Sequence, residues 1–287
     1  WSESDGLPGV IVDRYGDHLV LQTLTLAMDQ RQELLAEALR EKLQPTSIVL
    51  RNDSPIRKAE GLEPATGLLH GSDPGPVPVT HNGLTFKVEL LGGQKTGLYL
   101  DQLDSYDRVA SHAKGKRVLD VFCNQGGFGL SCARAGAASV TSVDVSGEAV
   151  EAVRRNAREN GLEVTAVEAN AFDYLKGCEE EFDLIILDPP SFTRSKKAVA
   201  DALRGYKEIQ LRALKLLAHD GILATYSCSH HVSRELFLET IRDAAVDARK
   251  TLRLVESHAQ RCDHPILPTL PETEYLKGFV FQLLPGR

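Results

Sequence analysis

The chain has 287 residues, 42% hydrophobic and 25% charged, and no apolar run approaches the roughly 18 residues of a membrane span, so its composition excludes global disorder and membrane embedding. Lys and Arg number 33 against 40 Asp and Glu, and the net charge of -7 excludes a globally basic nucleic-acid surface while leaving room for a local one. The five cysteines are odd in number and lack a CxxC pair, which argues against disulfides and zinc and fits a reducing cytoplasm. The chain opens on Trp1 without a signal-peptide pattern, so a segment upstream of it is expected.

Apolar runs at 10–12 and 19–21 flank the turn-like Tyr15-Gly16-Asp17, which predicts a hairpin over 7–26. Leu34, Leu35, Ala38 and Leu39 give 30–43 a helical spacing, and 48–50 reads as another strand. Residues 61–78 are dense in Gly and Pro, have no period, and read as a loop or interdomain connection. A strand-like stretch at 84–91 leads into GQKTGLYLDQ, where the pattern changes. We expect a small α+β domain over 1–90, on the substrate side, and a second domain over 91–287.

From Arg117 onward short apolar strands alternate with amphipathic helices, the pattern of βαβ units and a mainly parallel sheet. Strands are predicted at 118–122, 139–143, 163–167, 182–187 and 222–226. Helices are predicted after the glycine turn at Gly126-Gly127, after Ser146 as N-cap, over about 198–218, and from Ser233. The 182–187 run is almost unbroken, as in a strand covered on both faces, and Asp188-Pro189-Pro190 ends it. The fold class is α/β, with a Rossmann-like domain following the small α+β one.

In such a sheet the strand ends converge on one crevice, and Asp120 and Asp144 end successive strands there, so an acidic group can meet ribose hydroxyls. The turn DVFCNQGGFG lacks both GxGxxG spacing and a phosphate-cradling Lys-Ser/Thr, which disfavours dinucleotides and triphosphates and favours the phosphate-free S-adenosylmethionine. Asn170-Ala171-Phe172 follows the third strand, where a side chain can meet an adenine edge while Phe172 packs on its face; an ordinary polar loop is the alternative. In Asp188-Pro189-Pro190-Ser191-Phe192 two prolines fix the backbone, so that carbonyls and a carboxyl group suit a planar base with an exocyclic amine. Cys228, in Tyr226-Ser227-Cys228-Ser229-His230-His231, leaves its strand at the same edge, where a thiolate would be a nucleophile. His230 and His231 lack a partner at ligand spacing, so no metal is expected.

GQKTGLYLDQ, DVFCNQGGFG, DPPSF and YSCSHH, in this order, resemble the bacterial large-subunit ribosomal RNA cytosine-5 methyltransferases, a class I S-adenosylmethionine-dependent family. SDGLPGVIVDRYGD, LRNDS and EGLEP resemble that family's small middle domain, so the resemblance covers nearly the whole chain. In the family a PUA RNA-binding domain precedes the segment where this chain begins, and this chain is expected to lack it.

The resemblance implies that Lys95 and Thr96 cover the cofactor, and that Asp120, Phe122, Cys123 and Gly126 meet its methionine end. Asp144, with Val145 and Ser146 beside it, would hold the ribose; Asn170, Ala171 and Phe172 would meet the adenine; Asp188 would border both cofactor and base. Asn170 stands where the family often has Asp, which implies altered contact through an amide oxygen that can still accept from the adenine amine. Leu103 stands where the family usually has Arg, so one polar contact is expected to be missing. Because carbon 5 of cytosine is a poor nucleophile, a thiolate must first add to carbon 6. Cys228 is the expected nucleophile, and Asp188 would assist at the ring nitrogen, with burial raising its pKa. Ser191 stands where two-cysteine RNA methyltransferases have their second cysteine, so release must use another group or water, with His230, His231 and His264 as candidates for the base at carbon 5. The expected partner is large-subunit ribosomal RNA in the cytoplasm, with a homodimer also considered and no membrane partner. The rivals are base amino-group or guanine-N7 methylation without covalent catalysis, and a non-catalytic RNA-binding or ribosome-assembly module.

Overall fold

Alternating apolar residues build the first of two units in this computed structural model, which describes residues 2–92, 97–193 and 196–285. That unit draws on Trp1–His81, Thr85–Leu100 and Cys262–Thr273. Strands β1 (Val10–Tyr15) and β2 (His18–Thr23) form the expected hairpin, with the short helix α1 (Leu26–Asp29) after it. Helix α2 (Gln32–Leu43) places Ala36 and Leu39 in a core with Val10, Leu19, Leu21 and Ile48, the last on β3 (Ser47–Asn52). Strand β4 (Ala65–His70) completes a sheet of order β1-β2-β3-β4, in which only β2 and β3 run parallel. This strand lies within the 61–78 segment expected to be loop. It is an edge strand with no buried residue, so it lacks the apolar alternation that reveals a strand in sequence. A second hairpin joins β5 (Pro76–His81) and β6 (Leu84–Glu89).

The second unit draws on Asn82–Leu84, Asp101–Arg261 and Glu274–Arg287. Its elements in chain order begin with α3 (Leu103–Ala110), β7 (Arg117–Val121), α4 (Gly127–Arg134), β8 (Ser139–Asp144) and α5 (Gly147–Glu159). They continue with β9 (Thr165–Glu168), α6 (Ala171–Gly177), β10 (Phe182–Leu187), α7 (Val199–Leu216) and β11 (Leu217–Ser227), and end with α8 (Arg234–Asp247), β12 (Thr251–His258) and β13 (Lys277–Leu284). The sheet order is β12-β13-β11-β10-β7-β8-β9, and β13 alone runs antiparallel to its neighbours. Ile185 and Leu187 of β10 pack with Leu119, Val121 and Leu223 of neighbouring strands and with Tyr206 and Phe237 of the covering helices. As expected, the Ser146 hydroxyl accepts from the Ala149 N–H and caps α5.

From β7 the chain winds one way through β8 and β9, then crosses back to β10 and β11 on the other side. The carboxyl ends of β7 and β10 therefore flank the topological switch point, where ligands bind in sheets of this kind. Strand β11 starts five residues before the predicted 222, because Asp220 adopts a left-handed φ of 58° and the pairing register shifts there, so that the Asp-Gly signal lies inside the strand.

Candidate active site

Asp120 sits within β7, where burial is almost complete at 1% exposure. One carboxylate oxygen accepts from the Gly129 N–H of α4 at 2.9 Å, and the other is buried without a hydrogen-bond partner. Burial, opposed by that hydrogen bond and reinforced by the charges of Asp188 and Asp144, raises its pKa to about 7. The turn that follows is built by backbone geometry: Phe122, Asn124 and Gly126 have φ of 66°, 47° and 85°. Gly126 is thus needed for its left-handed conformation as the α4 N-cap. Gly127 and Gly129 serve close packing, since a Cβ on them would lie 2.4 Å from the Tyr106 ring and 2.6 Å from the Ser142 hydroxyl. Cys123 is buried, and burial pushes its thiol far up, so it offers a wall and no nucleophile.

At the end of β8 both Asp144 oxygens are held by backbone, one accepting from the Asn124 N–H and the other from the Ser146 N–H, each at 3.0 Å. This fixes the carboxylate against the glycine turn, while the neighbouring Val145 leaves its side chain 68% exposed. Asn170 caps α6: its amide oxygen accepts from the N–H groups of Phe172 (2.9 Å) and Asp173 (3.3 Å). Both lone pairs expected for an adenine amine are therefore already used, and the group left for a ligand is the amide NH2. Ala171 is buried and Phe172 half-buried.

Asp188 follows β10, and its N–H donates to the Val121 carbonyl, holding it beside the end of β7. Its carboxylate accepts from the Gln102 amide at 2.7 Å. Gln102 is buried, just before α3, and sequence reasoning misses it, although it stands one position before the departure at Leu103. Leu103 itself is buried. The thiol of Cys228 lies 4.0 Å from the Pro189 carbonyl, so Cys228 and the diproline segment meet on adjacent strand ends. Below them runs a hydroxyl chain in which Ser191 meets Ser229 at 3.0 Å, Ser229 meets Tyr206 at 2.8 Å, and Ser227 donates to Tyr206 at 3.0 Å. Phe192 packs between Phe122, Phe172 and Tyr206, with centroids 6.4, 6.0 and 4.7 Å apart, so the aromatic residues of three motifs share one wall.

His230 and His231 are exposed, and His264 belongs to the first unit, hydrogen-bonded to Asp263 at 2.9 Å. Lys95 and Thr96 lie outside the described residues, as do Arg194 and Ser195 of the local basic run. Among the described residues no cluster of three His, Cys, Asp or Glu side chains could hold a metal ion, and no helix is long and apolar enough to cross a membrane. Three carboxylates at the ends of β7, β8 and β10, one with an orphaned oxygen, suit a ligand bearing ammonium and sulfonium charges, and exposed Val145 with the aromatic wall suits a purine. The residues present therefore fit S-adenosylmethionine.

Comparisons with known proteins agree. A family model described as S-adenosylmethionine-dependent methyltransferase matches residues 60–281. The ribosomal RNA large subunit methyltransferase I of Photobacterium profundum is 42% identical over 285 residues, 97% of this chain and 72% of that protein. The structure of a SAM-dependent methyltransferase from Streptococcus mutans gives a TM-score of 0.86 at 23% identity, covering 98% of this chain and 73% of that one. A methyltransferase complexed with SAH matches with the same TM-score, identity and coverage. At 23% identity the solved structures speak for the fold, while the family model and the 42% identical relative speak for descent. The chain belongs to the S-adenosylmethionine-dependent methyltransferase family, with ribosomal RNA large subunit methyltransferase I among its relatives, and S-adenosylmethionine is its methyl donor.

Proposed function

We propose that the protein methylates carbon 5 of a cytosine in large-subunit ribosomal RNA through a covalent adduct of Cys228 to ring carbon 6. The observation that carries this reading is the meeting of the Cys228 thiol and the Pro189 carbonyl at 4.0 Å, directly beside Asp188. A nucleophile for carbon 6, a carbonyl for the exocyclic amine and a carboxyl group for ring nitrogen 3 then border one base. The name of the Photobacterium relative supports the RNA class. The small first unit is assigned to the RNA side.

The bound cofactor supplies an electrophilic methyl group on a sulfonium. Cys228 as thiolate gives its electron pair to carbon 6, and the ring electrons move to carbon 5 while Asp188 hydrogen-bonds or protonates nitrogen 3. Carbon 5 takes the methyl group as the carbon–sulfur bond of the donor breaks. Loss of the carbon 5 proton to a base restores the double bond and expels the Cys228 thiolate. Gln102 keeps the Asp188 carboxyl group oriented throughout. The aromatic wall and the buried strand ends exclude water from the cofactor side.

The test is nucleoside mass spectrometry of ribosomal RNA from cells with the gene, without it, and with Cys228→Ala. One 5-methylcytidine should disappear on deletion and stay absent with the variant. Its return with Cys228→Ala would overturn the covalent mechanism, and loss of a methylated purine instead would overturn the base assignment.

A further inference from the structure

Cys228 shares its surroundings with a cation that the steps above leave unused. Lys277 opens β13, opposite Ser227 in the strand register, and is 2% exposed. Its ammonium donates to the carbonyls of Ser229 at 2.7 Å and Tyr275 at 2.9 Å. Of its three N–H donors one remains unspent. Among the described residues no carboxylate lies within ion-pairing distance of it, and Glu274, the acidic neighbour, is ion-paired with Arg234 at 2.9 Å. A buried cation without an anion is costly, and a methionine of similar volume would be easier to accommodate there. Glu274 acts on Lys277 only while shared with Arg234, and the Cys228 side chain, one residue before the carbonyl that Lys277 grips, can supply an anion of its own.

We propose that Lys277 is the counter-cation of the Cys228 thiolate: a positioning residue that favours ionisation of the nucleophile and clamps the turn that presents it. The proposal rests on reading Cys228 as the nucleophile. On ionisation the thiol proton leaves to solvent, the electron pair stays on Sγ, and the ammonium keeps its protons, so the buried positive charge gains its anion. The charged and titratable groups acting on the pair are Glu274 and Arg234 around Lys277 and Tyr206 beside Cys228; Asp188 precedes the Pro189 carbonyl that Cys228 approaches, and His230 and His231 follow Cys228 in the chain and are exposed. Burial lowers the pKa of Lys277 to about 8, and the negative charges of Cys228 and then Glu274 oppose that shift. The clamp is completed from the other side, where Ser229 is held by Tyr206 and Ser191.

The test is the pH dependence of iodoacetamide alkylation at Cys228, read by peptide mass spectrometry on the full chain. With Lys277→Met, the half-point of alkylation should move up by about one pH unit or more, with S-adenosylmethionine binding retained. An unchanged half-point in a variant that still binds the cofactor would overturn the proposal. If Lys277→Met does not fold, the reciprocal coupling is read by NMR titration of the Lys277 ε-methylene in wild type and in Cys228→Ser. A lower Lys277 pKa in Cys228→Ser supports the pairing, and an equal one overturns it. Methylation surviving in Cys228→Ala would overturn the nucleophile reading separately, because alkylation reads the charge coupling without turnover.

Discussion

Replacing Asp120 by Asn removes a buried charge while keeping an oxygen to accept from the Gly129 N–H. The folded-state pKa is raised from 3.8 to about 7, mainly by burial, so the native state holds this proton more tightly than the unfolded chain. The associated stability is fully present below 3.8 and is lost as pH rises through about 7. At 1.36 kcal/mol per unit, the roughly 3-unit shift limits the loss to about 4 kcal/mol, of which about 2 to 3 falls between pH 5 and 7.5. Urea unfolding of both proteins at these two pH values isolates the effect as the change in their stability difference. Asp120→Asn should gain on wild type by up to that amount at the higher pH. A cationic cofactor favours the ionised form, so wild-type affinity for S-adenosylmethionine, measured by calorimetry, should strengthen as pH rises toward about 7 and then level off. The variant should bind more weakly, without that slope. A stability difference equal at both pH values, with flat wild-type affinity, would mean that Asp120 does not titrate between them.

Gln102→Leu removes the amide that donates to Asp188, and a hydrogen bond to a charged group is worth about 1.5 to 3 kcal/mol. The turnover rate should fall roughly ten- to a hundredfold with cofactor affinity little changed; equal losses in both would contradict a role at the substrate base. Gly129→Ala drives a Cβ to within 2.6 Å of the Ser142 hydroxyl and 2.9 Å of the Asp120 carboxylate, so it should destabilise by about 1 to 3 kcal/mol in denaturant unfolding. No change would mean that α4 can shift on the sheet. At Glu256 burial acts to raise the pKa, but hydrogen bonds from His112, His258 and Arg108 prevail and lower it from 4.5 to about 2. Its stabilisation is therefore present above 4.5 and lost as pH falls toward 2. The advantage of wild type over Glu256→Gln should shrink between pH 5 and pH 3 in unfolding experiments, and a constant advantage would contradict this sign.

The parallel half of the sheet is legible in the sequence because 182–187 is apolar on both faces and each following helix carries an apolar stripe; such patterns record burial directly. Strands β12 and β13 leave no such signal: β12 has a mostly exposed pattern, and Gly278 stands where a side chain would strike the Tyr226 ring at 2.4 Å, interrupting the apolar alternation of β13. The silence of β13 also conceals Lys277, whose role depends on being opposite Ser227 across the sheet, a relation that chain order does not show. The acidic residues Asp120, Asp144 and Asp188 stand out because strand ends in a doubly wound sheet converge. What each carboxylate does is less visible. Asp144 is secured by two backbone N–H groups, Asp120 by one, and Asp188 by the Gln102 side chain, and only the folded backbone distinguishes these cases. Asn170 shows the same limit, since its capping of α6 uses the oxygen that motif matching offers to adenine.

The most direct test of the account is covalent trapping on ribosomal RNA containing 5-fluorocytidine. Fluorine at carbon 5 cannot leave as a proton does, so after methyl transfer the enzyme should remain attached to the RNA through Cys228. Denaturing gels should show one protein–RNA adduct that requires S-adenosylmethionine, with peptide mass spectrometry placing the link on Cys228, and Cys228→Ala should give none. Full methyl transfer to unmodified RNA by Cys228→Ala, with no adduct in wild type, would contradict the account.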